Sequence, residues 1–301
     1  MNKNSAITRR RVLELLGATS FPLASLPYGR AADDTTKKRI LFFTKSSGFE
    51  HHSVKRNGAA PSLSELTLST IGKKHGFEIV ATKDGRVFDG DVAQYDAFLF
   101  YTTGDLTDAG TDGMPPVSPV GKQAILSAIR EGKGFVALHS ASDTFHSKGK
   151  RFETQADPDP FIAMLGGEFI SHGSQQEARV TVVDSTFPGL LGSGEAFTIK
   201  EEWYSLKNFA KDIHVLLVLE TDGMQGPEYK RPPFPLAWAR KEEKGRVYYN
   251  AMGHRDDVWT SERFQQMLAG AIAWATGETE SALVANMSKV TPQAEVMPPE
   301  E

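Results

Sequence analysis

The sequence predicts an α/β fold with a doubly wound, mostly parallel sheet. Two observations predict it: short unbroken apolar runs recur along the chain, and segments of helical period, closed by glycine, separate them. Arg39-Ile40-Leu41-Phe42-Phe43-Thr44 is such a run, as expected for a strand buried on both faces. A polar loop with Ser46, Ser47, Gly48 and the His51-His52 pair follows it. A helix is predicted from Pro61 to His75, with Leu63, Leu66 and Ile71 apolar and Gly76 as its stop. Phe77 to Thr82 reads as a second strand and Tyr95 to Tyr101 as a third, ending in Thr102-Thr103-Gly104-Asp105. After a Gly/Pro-rich loop, a helix from Pro119 to Glu131 ends at Gly132 and Gly134. The fourth strand, Phe135 to Leu138, runs straight into His139-Ser140-Ala141-Ser142-Asp143.

The second half is less regular. Gly166 to Phe169, Ala178 to Val183, Val215 to Leu219 and Leu236 to Arg240 read as shorter strands, and Gly245 to Asn250 as a clear late one. A terminal helix from Ser261 to Thr276 carries Phe264, Met267, Leu268, Ala271, Ile272 and Trp274 on a helical period. The expected organisation is a leader over residues 1–31, one domain over 38–277, and a loosely ordered tail over 278–301. No internal repeat is present.

The leader reads as an address. Arg9, Arg10 and Arg11 precede a modest apolar segment through Leu15, Leu16, Phe21, Leu23 and Leu26, and Gly29-Arg30-Ala31 offers small residues at −3 and −1 of a cleavage point. A twin-arginine signal, and hence a periplasmic or secreted location, is the expectation. Its removal takes Lys3, Arg9, Arg10, Arg11 and Arg30 but only Glu14 of the acids, leaving a net charge of −8. An acidic chain without basic tracts argues against nucleic acid as a partner. No run approaches the roughly 20 apolar residues of a spanning helix, so membrane insertion is not expected. The 301 residues include no cysteine, which excludes disulfides, thiolate metal sites and cysteine nucleophiles.

In open α/β sheets, ligands bind beyond the carboxyl ends of the strands. Four predicted strands finish there in polar residues. These are His51 and His52, then Thr103 and Asp105, then His139, Ser140 and Asp143, and finally Gly253-His254-Arg255-Asp256. Distant segments should therefore meet at one edge.

These segments carry a resemblance. Phe43 to His51, Gly134 to Asp143, Leu165 to His172, Glu201-Glu202-Trp203-Tyr204, Pro235 to Trp238 and Lys244 to His254 resemble, in order, the motifs of the ThuA (trehalose-utilisation-like) family. One departure is Glu50, where the family more often has a basic residue. The resemblance implies a fold like that of class I glutamine amidotransferases (flavodoxin-like). The cysteine nucleophile of those enzymes is missing from Leu138-His139-Ser140-Ala141, so amidotransferase chemistry is not implied.

The resemblance picks His51 over His52, whose side chain points the other way in extended backbone. His139 and His254 are candidate bases or metal ligands, with Asp143 expected to orient His139. His172 is expected to be structural, and His146 and His214 carry no motif. Ser140 is read either as a hydroxyl nucleophile or as a helix cap, and Asp105 as a site acid or a turn cap. Glu202 is the best general acid or base, its pKa expected to rise beside Trp203 and Tyr204. Trp203, Tyr204 and Trp238 are candidate sugar-stacking surfaces, with core packing as the alternative for both tryptophans. The family implies a small carbohydrate ligand and processing of a sugar or oxidised glycoside. The rival readings are a non-catalytic sugar-binding protein and a hydrolase using a divalent metal such as zinc on His51, His139 and His254.

Overall fold

The structure, a computed structural model, describes residues 37–300; the predicted leader lies outside them. Residues from Lys37 onward form one compact unit. Its first four strands are β1 (Arg39–Phe43), β2 (Glu78–Thr82), β3 (Ala97–Phe100) and β4 (Gly134–Leu138). With β11 (Gly245–Asn250) they form a parallel half-sheet in the order β2-β1-β3-β4-β11. β1, β3 and β4 are almost wholly buried, which is why they read as unbroken apolar runs rather than alternating ones.

Helix α1 (Leu63–His75) joins β1 to β2, and α2 (Pro119–Arg130) joins β3 to β4. The two crossovers run outward in opposite directions from the β1/β3 boundary. Right-handed connections then place the helices on opposite faces, and the boundary becomes the switch point where such sheets open a crevice. α1 starts at a capping box in which the Ser62 hydroxyl accepts from Glu65 N while Glu65 accepts from Ser62 N. It stops at Gly76, in the left-handed region at φ +82°. α5 (Glu262–Ala275), which packs on β4 and β11, follows the short α4 (Asp256–Thr260).

The sheet continues antiparallel through β10 (Phe234–Glu242), β9 (His214–Leu219), β6 (Gln176–Val182) and β7 (Ala196–Glu201), making nine strands. β5 (Glu168–His172), after the short α3 (Pro160–Leu165), pairs instead with β8 (Tyr204–Lys207) in a separate antiparallel ribbon. β7 and β8 were not expected from sequence. The tail departs from expectation as well. It is held by α6 (Met287–Val290), by Asn286, whose side-chain oxygen accepts from Val215 N at 2.7 Å, and by Ala294, which is buried with its carbonyl taking an Arg231 N–H. Buried polar partners, which the tail's composition does not advertise, fix it. No helix among the described residues is long and apolar enough to cross a membrane.

Candidate functional site

Four elements deliver the site. The loop after β1 supplies His51, the turn after β4 supplies His139, the link between β7 and β8 supplies Glu202, and the loop after β11 supplies His254. Their ligating atoms all lie within 4.8 Å of one another. β1, β4 and β11 are parallel strands of one half-sheet and end at the same edge, and the link between β7 and β8 brings Glu202 to them, so residues some 200 positions apart meet because of topology rather than spacing. His52 points outward, as expected, and its ring pairs with Asp256 at 2.8 Å.

His139 occupies the tight strand-to-helix turn, with φ +44°, a left-handed value that costs a non-glycine residue about 1–2 kcal/mol. The turn aims its ring into the cluster. His139 Nδ1 bonds the Ala251 carbonyl at 2.8 Å, which leaves Nε2 as the free lone pair. The Tyr204 ring packs 4.1 Å behind it, centroid to centroid. Gly253, at φ +123°, lets the next loop double back beside the site. Its carbonyl accepts from Tyr101 Oη at 2.9 Å and from Trp259 Nε1 at 2.7 Å, fixing where His254 stands.

The Glu202 carboxylate lies 3.5 Å from His139 Nε2, 3.0 Å from His254 Nδ1 and 3.4 Å from His172 Nδ1. Neither His139 Nε2 nor His254 Nδ1 is aligned as a hydrogen bond, however, and His51 Nδ1 has no partner among the described residues either. Burial raises the Glu202 pKa, but His139 and His254 outweigh it and hold the carboxyl well below its ordinary range. This corrects the expected rise. Desolvation acts in the expected direction, but the two imidazoles outweigh it. Burial, reinforced by His139 and His254, keeps His51 well below its usual value and therefore neutral. Burial also pushes His254 down, but Glu202 more than restores it, so its pKa ends above normal.

Sequence reasoning missed Glu201, which is wholly buried. Its carboxylate accepts from Glu202 N and from Gly253 N, both at 2.8 Å, and so ties the acid's backbone to the loop bearing His254. The doublet Glu201-Glu202 was visible, but a strand end followed by a kink was not, so only one glutamate was singled out.

Other candidates fall elsewhere. Asp143 does not orient His139. It lies 2.5 Å from His146 Nε2, because the 3₁₀ turn over His139–Asp143 carries it away from the ring. Asp105 is exposed and caps its own turn through Thr107 N at 2.9 Å. Trp203 and Trp238 are fully buried, their indole N–H groups donating to the Gln176 and Leu165 carbonyls. They are core, not sugar platforms. Ser140 is buried, caps nothing, and its hydroxyl has no partner to activate it among the described residues. His172, expected to be structural, stands half-exposed at the rim beside Glu202. Glu50 neutralises Lys83 at 3.0 Å.

This donor set fits a divalent ion. A tetrahedral shell with bonds of roughly 2.0–2.1 Å needs donors about 3.4 Å apart. The His139–Glu202 and His254–Glu202 separations of 3.5 and 3.0 Å bracket that spacing. Buried, unpartnered imidazole nitrogens beside a carboxylate are costly as they stand and satisfied by a cation.

Residues 39–275, nearly the whole described domain, match the ThuA model, described as trehalose utilisation. The chain belongs to the ThuA family. Among solved structures, this ThuA chain is similar to a ThuA-like protein of Bacteroides uniformis. The two are 20% identical with a TM-score of 0.57, over 85% of this chain and 98% of that one. It is also similar to a ThuA-like protein of Parabacteroides merdae, at 17% identity and TM-score 0.58, over 82% and 93%. At these identities the likeness speaks for the fold alone, the class I glutamine amidotransferase-like α/β sheet. No curated protein matches the chain.

Proposed function

We propose that this ThuA-family chain is an exported, metal-dependent enzyme acting on a sugar or oxidised glycoside. His51, His139, Glu202 and His254 would hold the metal. The observation that carries the reading is the set of two buried imidazoles and a part-buried third, each with a buried ring nitrogen that no described residue satisfies, around one carboxylate. When bound, such an ion supplies Lewis acidity and brings the pKa of a coordinated water toward 7. The protein's own residues do the rest. The Ala251 carbonyl fixes the His139 tautomer, and Glu201 fixes the approach of Glu202 to His254. His172, half-exposed and 3.4 Å from Glu202, is placed to pass a proton between the site and solvent. The family's description supports carbohydrate as the substrate class.

A second reading rests on the 3.0 Å approach of His254 to Glu202, which alone makes an acid–base pair without metal. One experiment separates the two. The exported protein is analysed for metal by mass spectrometry, then assayed on trehalose and on keto-glycosides before and after chelation. Stoichiometric metal with turnover lost on chelation supports the enzyme proposed. Turnover indifferent to chelation leaves only the acid–base pair, and tight sugar binding with no turnover would make the protein a binding module. Export rests on the Arg9-Arg10 pair. Changing both to Lys should retain the precursor in the cytoplasm, read by cell fractionation.

A further inference from the structure

Beside the four-residue cluster lies an open cleft of about 990 Å³ that shares Glu202 with it. The loop after β5 and the loop after β9 form its walls, and two ties hold them together. The Gln176 side chain donates to the Gln225 carbonyl and accepts from Gln225 N, both at 2.8 Å. Tyr229 Oη accepts from Gly173 N at 2.9 Å and donates to the Trp203 carbonyl at 2.7 Å. The cleft is thus a built feature of the fold.

Its lining residues include no lysine or arginine, and His172, Gln175, Gln176, Glu202, Gln225 and Glu228 are its longer polar side chains. Glu228 stands out. It is 93% buried, and its Oε1 has no hydrogen-bond partner among the described residues. Two glycines make room for it, since a Cβ on Gly173 or on Gly226 would come within 1.7 or 2.0 Å of that oxygen. A buried carboxylate oxygen without a donor is a cost to folding, and here it sits in the lining of a cleft next to the metal-binding cluster. Arg255 of the β11 loop is paired with Asp257 and also donates to Gln175 Oε1 at 2.6 Å, at the cleft's edge.

We propose that this cleft is the subsite for the second unit of a neutral glycoside, with Glu228 accepting hydrogen bonds from its hydroxyls and setting specificity against anionic sugars. The assignment rests on the metal-site reading above for the reacting end of the substrate, but the subsite itself does not require the ion. With Glu202 matched by the imidazoles, Glu228 is the carboxylate left to disfavour a phosphate or uronate, and its unpartnered oxygen suits a hydroxyl donor. Arg151 lines the neighbouring depression of about 420 Å³, on the other side of His172 and Glu228, and is the feature that would favour an anion instead.

The test is calorimetric titration of the full-length exported protein with trehalose, maltose and lactose, and with trehalose 6-phosphate and lactobionate as anionic counterparts. Metal content is measured on the same samples. Neutral disaccharides should bind at least tenfold more tightly than the anionic ones. Glu228→Ala and Glu228→Gln should weaken that binding tenfold or more, leaving metal content unchanged and the thermal midpoint equal or higher. Tighter binding of the anionic sugars, unchanged affinity in both variants, or no binding of any neutral disaccharide would each overturn the proposal. If the wild type holds no metal yet loses disaccharide affinity on Glu228→Ala, the metal reading falls and the subsite stands. If metal is present and Glu228→Ala binds as the wild type does, the subsite falls and the metal reading stands.

Discussion

His146 and His214 differ from His51, His139 and His254 in one respect that matters more than burial. His214 bonds the Val284 carbonyl through Nδ1 at 2.8 Å and Asp184 through Nε2 at 2.9 Å. His146 does the same between Glu168 at 3.1 Å and Asp143 at 2.5 Å. Both rings spend both nitrogens on the fold. In the cluster after β1, β4 and β11, each ring keeps one nitrogen that the described protein leaves unsatisfied. A histidine whose two nitrogens are both engaged is a strut, while one with a spare buried lone pair is free to take a ligand. Residue type does not separate these groups, but hydrogen-bond accounting does.

The contrast is open to direct attack. The largest effect expected is on the ligand set. On the metal reading, His51→Ala, His139→Ala or His254→Ala should each abolish stoichiometric metal and turnover. In the chelated protein His51→Ala and His254→Ala should cost little thermal stability, whereas His139→Ala also strips the buried Ala251 carbonyl of its donor and should lower the midpoint. Retention of metal by any of the three, read by elemental analysis, would break the distinction. Next in size is Glu201→Gln, which keeps the shape but weakens the acceptor for Gly253 N and Glu202 N. It should reduce metal affinity by roughly 10–100-fold, the usual effect of altering a group that orients ligands, as measured by competition with a chelating dye. His214→Ala should leave metal untouched and cost about 1–3 kcal/mol in denaturant unfolding, because it strips partners from Asp184 and Val284 in a mostly buried place.

The smallest effect concerns His146 and shows in the pH dependence of stability. The Asp143 and Glu168 carboxylates raise its pKa from 6.5 to about 9 in the folded state. The raised value means that its contribution is complete below about pH 6.5 and is lost as pH climbs through 9. Glu168 is pulled the other way, to about 2: burial opposes the shift, but His146 and Ser147 overcome it. Its contribution is present above about pH 4.5 and is lost as pH falls through 2. Thermal midpoints of the wild type should decline between pH 6.5 and 9. His146→Gln should flatten that decline, and its metal content should stay that of the wild type.

The sequence made the parallel half legible because strands buried on both faces leave unbroken apolar runs such as Ile40–Phe43 and Phe135–Leu138. The antiparallel extension hid itself. Ala196–Glu201 is only partly buried, and its mixed composition has no such run. His51, His139, Glu202 and His254 were found because three of them end strands of the legible half and the fourth lies in a family-like motif. Their mutual spacing carried no signal, since topology alone unites them. Glu201 and Glu228 escaped because their importance lies in backbone hydrogens and in two distant glycines. The tryptophans misled for the converse reason. An indole has the same chemistry in a sugar site as in a core, and only the Gln176 and Leu165 carbonyls that take their N–H groups decide between the two.

His51, His139, Glu202 and His254 come from four segments, each at least about 50 residues from the next along the chain. In a chain without cysteine, an ion held by all four would act as a clasp closing three long loops at once. Such a clasp belongs to the folded state alone, so every increment of metal occupancy would add to folding stability by mass action. The melting temperature of this protein would then read out the free metal concentration of the compartment it inhabits, rising with each tenfold increase once that concentration exceeds the dissociation constant.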